Sequence, residues 1–126
     1  MPKKTQFDVL AEHLKAMADP NRVRIIALLL QGEQTATQLN KQLHICQPTL
    51  SHHMKVLCEI GLVSLRKAGV RRFYRLDTQR FRALGNHLHA VADYSESCLQ
   101  AKKQNLPPPP LPEFDHLSSP ANNNLA

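Results

Sequence analysis

The sequence lacks both a membrane-spanning stretch and a cysteine framework. Its apolar run VRIIALLL is too short and too interrupted to cross a bilayer. The first residues, MPKKTQFDVLAEH, have no continuous apolar core of the signal-peptide type. The cysteines, Cys46, Cys58 and Cys98, are widely spaced and form no C-x-x-C pair, which excludes a disulfide framework. These absences predict a cytoplasmic protein with no membrane partner.

The usual signatures of enzymatic chemistry are also missing. The chain has no glycine-rich phosphate loop and no Ser/His/Asp arrangement. It also offers no pair of carboxylates suited to acid and base catalysis in a pocket. We therefore expect a protein that is not an enzyme and that needs no cofactor.

Positive charge is what the chain has in excess. Its 126 residues are enough for one domain and carry 16 Lys plus Arg against 10 Asp plus Glu, a formal charge of +6. No basic residue lies beyond Lys103, so up to that position 16 basic residues stand against 8 acidic ones, a balance of +8. This charge favours a nucleic acid partner, with a membrane surface or simple solubility as alternatives.

Hydrophobic spacing predicts two helices at the start of the chain. Asp19 and Pro20 suit the N-cap and first position of the second helix, which should end at Gly32. Its IIALLL segment is apolar on most faces, so we expect this helix to be the most buried element. The first helix has a one-sided apolar stripe. The stripe consists of Phe7, Leu10, Leu14 and Met17.

The next segments have the pattern of a helix-turn-helix. Thr35 and Gln38 form a capping box that opens a short third helix. The segment HIC, residues 44–46, is a tight connection to a fourth helix, which begins near Pro48. Two short helices joined by a brief turn are typical of this motif.

The fourth helix has one apolar and one polar side. Leu50, Met54 and Leu57 lie on the same side at 100° per residue. The opposite side and its flanks are polar and suited to hydrogen bonding with DNA. Two alternative interpretations are metal ligation by the adjacent histidines and a polar helix face that contacts only solvent. A helix used for protein–protein contact would instead carry acidic or apolar residues there. The predicted DNA contacts are Gln47, Pro48, Thr49, Ser51, His52, His53 and Lys55.

From Leu62 the period changes to two. LVSLRKAGVRRFYRL predicts a β-hairpin around Lys67-Ala68-Gly69, with Gly69 supplying the unusual backbone angle of the turn. The hairpin is basic and has no acidic residue, so it should neutralise phosphates. Its predicted DNA contacts are Arg66, Lys67, Arg71 and Arg72.

A long helix capped by Asp77 or Thr78 should close the domain, which we place at residues 1–103. Its apolar residues alternate three and four apart, as in helices that pair with a copy of themselves. Beyond it, residues 104–126 are rich in Pro, Asn and Ser, which predicts a disordered tail. The predicted interface residues of this helix are Phe81, Leu84, Leu88, Val91 and Cys98.

The order and spacing of LKAMADPNRVRIIALL, QPTLSHHMKVLCEIGLV and RKAGVRRFYRL resemble the ArsR/SmtB family of bacterial repressors. The resemblance implies a mainly α fold, a winged helix-turn-helix with five helices and a small β-hairpin. It also implies a homodimer formed by the first and last helices, here through Phe7, Leu10 and Leu14 with the closing-helix seam. The fourth helix would enter the major groove of an inverted repeat, with half-sites about one helical turn apart.

Members of this family often release DNA on binding a metal, and this chain departs from both well-known sites. The central cysteine positions of the third-helix thiol site are Thr35 and Thr37. The closing-helix zinc site would fall on Asp77, Gln79, Ala90 and Asp93, which retain carboxylates but no histidine. A zinc function carried over from the family is therefore not expected.

The sequence contains two other candidate sites for a switch. His89 and Asp93 are spaced i, i+4 and are a candidate metal pair, although a solvated helix flank explains them as well. Cys98 could meet its counterpart across a dimer seam as a thiol switch, or pack there as a small hydrophobic residue. The sequence does not identify an inducer, and a regulator without one is a third possibility.

Overall fold

The computed structural model describes residues 3–112 and shows five helices and a three-stranded sheet, which confirms the predicted winged helix-turn-helix fold. None of the helices within these residues has the length and apolar character needed to traverse a bilayer. The elements, in chain order, are α1 (Gln6–Met17), α2 (Pro20–Leu29), β1 (Gln34–Thr35), α3 (Ala36–Leu43), α4 (Gln47–Glu59), β2 (Val63–Ala68), β3 (Arg71–Leu76) and α5 (Thr78–Lys103).

Short polar side chains start the helices where the sequence predicts. The Asp19 carboxylate accepts from the Asn21 backbone N–H at 2.8 Å. At α3, the Thr35 hydroxyl accepts from the Gln38 N–H at 3.1 Å, while the Gln38 side chain accepts from the Thr35 N–H at 2.8 Å. Both predicted caps are confirmed, and each satisfies N–H groups that the first helical turn leaves unpaired.

The core lies between α2, α3, α4 and the base of the sheet. The apolar side of α4 is buried as predicted, at Leu50, Met54 and Leu57. The expectation that α2 is the most buried element is wrong, because Val23 and Ala27 on its outer side are exposed, as is its C-cap residue Leu30. The run IIALLL places apolar residues all around the helix, but only one side of α2 faces the core.

The sheet has one strand more than the sequence predicts. Its order is β1-β3-β2, and the two residues of β1 pair with β3 as Gln34↔Tyr74 and Thr35↔Phe73. A two-residue strand is too short to show a period of two, so the pattern predicts only the hairpin. In the hairpin, Gly69 has φ +62° as expected, and the turn lies at residues 69–70.

The closing helix α5 begins with the Asp77 carboxylate accepting from the Arg80 N–H at 2.9 Å. After it, the described part of the predicted tail, residues 104–112, turns back along the helix. The Leu106 N–H donates to the Ala101 carbonyl at 2.8 Å, and the Tyr94 hydroxyl donates to the Pro109 carbonyl at 3.0 Å. Residues 113–126 lie outside the described residues, and disorder of the tail stays a prediction.

Helices α1 and α5 each carry a buried histidine, His13 and His87. The His13 ring lies with Nδ1 2.7 Å from the Val9 carbonyl, which fixes the proton on that nitrogen because a carbonyl oxygen only accepts. Burial lowers the pKa of His13, and the Arg80 charge lowers it further. The pKa of His87 is lowered by burial and then by His13. Both rings are therefore neutral at pH 7.

These histidines predict that acid destabilises the domain. Their folded-state pKa values lie below the unfolded value of about 6.5, so the unfolded chain binds protons first as pH falls. Their contribution to stability should be constant above about pH 7 and should then decrease by at most about 1.4 kcal/mol per pH unit for each histidine protonated only on unfolding. Urea unfolding between pH 8 and pH 5 measures this decrease. His13→Gln should flatten the dependence, and a slope equal to that of the unmodified protein would contradict the assignment.

Candidate nucleic-acid interface

The first two turns of α4 present most of the predicted contacts at the surface. The side chain of Ser51 is half-buried, and the exposed ones are Gln47, Pro48, Thr49, His52 and Lys55. The segment ahead of the helix is short because His44 adopts the left-handed conformation, with φ +55°, and ends α3. The turn therefore delivers the polar side of α4 directly to the surface, next to α3.

His53 differs from the prediction. Its side chain is 7% exposed, and its Nδ1 lies 3.2 Å from Nη1 of Arg22 on α2. Burial lowers the pKa of His53, so the ring is neutral and its 3.9 Å approach to Asp19 is not an ion pair at pH 7. The burial of His53 separates it from the exposed side of α4, and its contact with DNA stays a prediction without support from the structure. Three residues after Leu50, the ring turns toward the packed side of the helix.

A polar network joins α3 to the start of α4. The Asn40 amide donates to Oε1 of Gln47, and the Gln47 amide donates to the Ser51 hydroxyl at 3.4 Å. Asn40 was not among the predicted site residues, because only the packing of α3 against α4 brings it to Gln47. The network orients two of the predicted base-contacting side chains before any ligand binds.

The thiol nearest this surface is Cys46, the N-cap residue of α4. Its Sγ lies 3.1 Å from the Thr49 hydroxyl, and hydrogen bonds with Thr49 lower the pKa of the thiol. Cys58 has the opposite environment, because burial raises the pKa of its thiol to about 11. Cys58 is therefore unreactive in the folded protein, and Cys46 is more readily ionised.

The hairpin, hereafter the wing, exposes Lys67, Arg71 and Arg72. Val70 at its tip is fully exposed. Arg66 is also exposed, but it makes contacts within the protein that the sequence does not predict. Its Nη2 donates to Oε1 of Glu33 at 2.7 Å, and its guanidinium carbon lies 4.3 Å from the centroid of the Phe73 ring.

A cleft of about 780 Å³ separates the wing from the helix-turn-helix. Predicted DNA contacts of α4 and the wing lie on its two walls. Polar residues of α3 that were not among the predicted contacts lie there as well. The lining includes Thr37, Lys41, Gln47, Ser51, Arg71 and Arg72. The walls therefore carry cations and hydrogen-bond donors on both sides, an arrangement that suits a polyanion.

Apolar residues of α1 and α5 are exposed on another face. Phe7 is 49% exposed and Leu88 is 43% exposed, and Leu14 and Val91 are similarly accessible. Of the other predicted interface residues, Leu84 is buried, and Leu10, Phe81 and Cys98 are half-buried. A cavity of about 370 Å³ opens between the two helices, with a lining that is almost entirely apolar and includes Leu14, Met17, Phe81, Leu84 and Leu88.

The candidate metal residues form a pair only. His89 Nε2 lies 3.4 Å from Oδ2 of Asp93, and both side chains are exposed. Within residues 3–112, no group of three or more His, Cys, Asp or Glu side chains converges on one point. Asp77, at the first position expected for a closing-helix zinc site, serves as the N-cap of α5.

Comparison with known proteins gives consistent matches. Residues 19–64 match the family model described as "Bacterial regulatory protein, arsR family". The arsenical resistance operon repressor of Staphylococcus xylosus is 36% identical over 92 residues, which cover 73% of this chain and 88% of that protein. Among solved structures, HlyU from Vibrio cholerae matches with a TM-score of 0.60 and 32% identity over 70% of this chain and 96% of that one. An ArsR-like regulator from a Rhodococcus species matches with a TM-score of 0.70 and 25% identity, covering 79% of this chain and 93% of that one.

Proposed function

The chain belongs to the arsR family of bacterial regulatory proteins, which are DNA-binding transcriptional regulators and not enzymes, and we propose that it acts as a homodimeric repressor on an inverted-repeat operator. The observation that carries this proposal is the cleft between α4 and the wing. Lys41 of α3 lies on one wall and Arg71 and Arg72 of the wing lie on the other, and the side of α4 that faces away from the cleft packs into the core. The surface is thus directed at an external polyanion.

In the proposed complex, the N-terminal half of α4 lies in the major groove. A helix with its side chains is about 10–12 Å across, close to the roughly 12 Å width of that groove. Gln47, Ser51 and His52 then reach base edges, because they project from the first two turns. Lys55, one turn further along, is placed to contact a phosphate.

The wing supplies contacts that do not depend on sequence. Lys67, Arg71 and Arg72 are exposed and project beyond the folded body, where they reach the flanking backbone or minor groove. Each neutralised phosphate releases counterions, so affinity should decrease steeply with salt. In this proposal, α4 determines which sequence is bound and the wing determines how strongly any duplex is held.

Dimerisation is supported by the exposed apolar residues of α1 and α5. A side chain such as Leu88 is stabilised by removal from water, at about 25 cal/mol per Å² of apolar surface. The cavity of about 370 Å³ between the helices has room for apolar side chains of a second copy. Two copies related by a two-fold axis present two α4 helices, which matches an inverted repeat.

We further propose that neither metal site of the family acts as the switch in this protein. Thr35 serves as the N-cap of α3 and Asp77 as the N-cap of α5, so the residues at these positions are used for folding. Threonine at positions 35 and 37 provides no thiolate ligand. If the repressor has an inducer, it binds elsewhere.

Single alanine substitutions should separate the two kinds of contact. His52→Ala should lower operator affinity by roughly tenfold and reduce discrimination against altered operators, since a good base contact contributes about 1–3 kcal/mol. Ser51→Ala should act in the same direction. Arg71→Ala should weaken binding to every duplex evenly and reduce the salt slope by about 1.

Fluorescence anisotropy with operator and altered duplexes measures both effects. His89→Ala and Arg82→Ala are matched controls, because both replace exposed residues of α5. If His52→Ala and Arg71→Ala both bind like the unmodified protein, α4 and the wing do not contact DNA as proposed.

A further inference from the structure

The contacts of Arg66 suggest a role other than phosphate binding. Two of its nitrogens face the Glu33 carboxylate, Nη2 at 2.7 Å from Oε1 and Nε at 3.4 Å from Oε2. The guanidinium also stacks on the Phe73 ring, with its central carbon 4.3 Å from the ring centroid. A guanidinium that donates to both oxygens of a carboxylate and stacks on an aromatic ring is oriented by the protein itself.

These contacts cross the whole width of the sheet. Arg66 on β2 stands opposite Phe73 on β3, and Phe73 in turn stands opposite Thr35 on β1. Glu33 directly precedes β1. The side chain of Arg66 therefore passes over the central strand and joins the outer strand of the wing to the segment that leads into the helix-turn-helix.

Phe73 also marks the level at which the sheet changes from three strands to two. It is paired with both neighbours, whereas residues 67–72 are paired only within the hairpin. A two-stranded ribbon twists readily and has little stability of its own. Its direction is therefore set by the contacts at its base, which is where Arg66 and Glu33 meet.

We propose that the Glu33–Arg66 pair, stacked on Phe73, is a latch that fixes the direction of the wing relative to α3 and α4, so that Arg66 is a positioning residue for DNA binding and not a phosphate ligand. This inference rests on the proposed function, because it assumes that the wing contacts DNA. Thr35, the last residue of β1, is also the N-cap of α3. The latch thus joins the wing to the start of the helix-turn-helix and sets the width of the cleft between Arg72 and Lys41.

The electrostatics of the pair agree with this geometry. The hydrogen bond from Arg66 lowers the pKa of the Glu33 carboxyl, and Arg75 on the same face of the sheet lowers it further. The carboxylate is therefore fully ionised at neutral pH, and it holds Arg66 in place. Glu33 is also a negative charge near a surface proposed to bind a polyanion, which makes its replacement informative.

The test is the DNA affinity of Glu33→Gln. Removal of a negative charge should strengthen DNA binding through simple electrostatics, whereas loss of the latch should weaken it. We expect a roughly two- to fivefold weakening, the range for an exposed ion pair, with the salt slope unchanged. Arg66→Met should weaken binding similarly, and the double variant should be no weaker than either single one.

Arg66→Lys provides a second readout, because it retains the charge but not the two-pronged geometry. The latch requires Arg66→Lys to weaken binding as Glu33→Gln does. If Arg66 is instead a phosphate ligand, Arg66→Lys should bind DNA normally and Arg66→Met should lower the salt slope by about 1. Glu33→Gln should then bind DNA as tightly as the unmodified protein or more tightly. That set of results would overturn the inference.

Arg71→Ala, measured in the same series, separates failure of the latch from failure of the proposed function. If Arg71→Ala weakens binding and Glu33→Gln does not, the wing contacts DNA without the latch. If Arg71→Ala has no effect either, the wing does not contact DNA, and both the latch and the proposed role of the wing are wrong.

Discussion

Replacement of Leu88 by glutamate is expected to give a monomer that binds the operator about 100-fold more weakly than the unmodified protein. Leu88 is 43% exposed on α5 and lines the apolar cavity between α1 and α5. A carboxylate there would have to be buried without a partner in the proposed dimer, which is strongly unfavourable. Without the second α4, the gain from binding two linked half-sites, on the order of 10²–10⁴, is lost.

Sedimentation velocity and anisotropy on the same samples measure the two consequences. Gln100→Glu is the matched control, because it adds the same charge at an exposed position on the other side of α5. We expect the control to remain dimeric and to bind almost normally. A Leu88→Glu protein that is still a dimer would contradict the assignment of α1 and α5 as the interface.

Leu50→Ala is expected to lower the free energy of unfolding by about 2–5 kcal/mol. The Leu50 side chain is 0% exposed and belongs to the core formed with α2, α3 and the base of the sheet, on the side of α4 opposite the proposed DNA contacts. Its removal leaves a cavity that a densely packed core fills only in part. The loss should therefore exceed that of the other single substitutions considered above.

Urea unfolding followed by circular dichroism measures this loss. Leu30→Ala makes the same chemical change at a side chain that is 58% exposed, and should alter stability by no more than about 0.5 kcal/mol. If the two variants are equally stable, Leu50 is not part of the core. Because α4 carries the proposed operator-binding surface, Leu50→Ala should also weaken DNA binding once the unfolded fraction becomes appreciable.

Much of the fold can be predicted from the sequence because its signals are local. The stripe of Leu50, Met54 and Leu57 and the capping box of Thr35 with Gln38 depend only on neighbours along one helix. The hairpin likewise follows from alternation and from Gly69. Strand β1 gives no such signal, since two residues cannot establish a period and its pairing partner lies about 40 residues away.

The differences at the candidate site have a tertiary origin. His52 and His53 are adjacent in sequence, but only His53 lies against α2, where Arg22 and the N-cap residue Asp19 are its neighbours. Arg66 belongs to a segment without acidic residues, and its partner Glu33 comes from before β1. Neither arrangement can be inferred from helical or strand periodicity, because each depends on which elements pack together.

The measurement that tests the central claim most directly is selection of duplexes from a random DNA pool, followed by anisotropy titration of a selected duplex and a shuffled duplex of equal composition. We predict an enriched inverted repeat with half-sites about one helical turn, roughly 10 base pairs, apart. The protein should bind it at least about 10³-fold more tightly than the shuffled duplex, with an affinity that decreases as salt increases. Equal affinity for both duplexes, or selection that enriches no sequence, would contradict a sequence-specific regulator that reads DNA with α4.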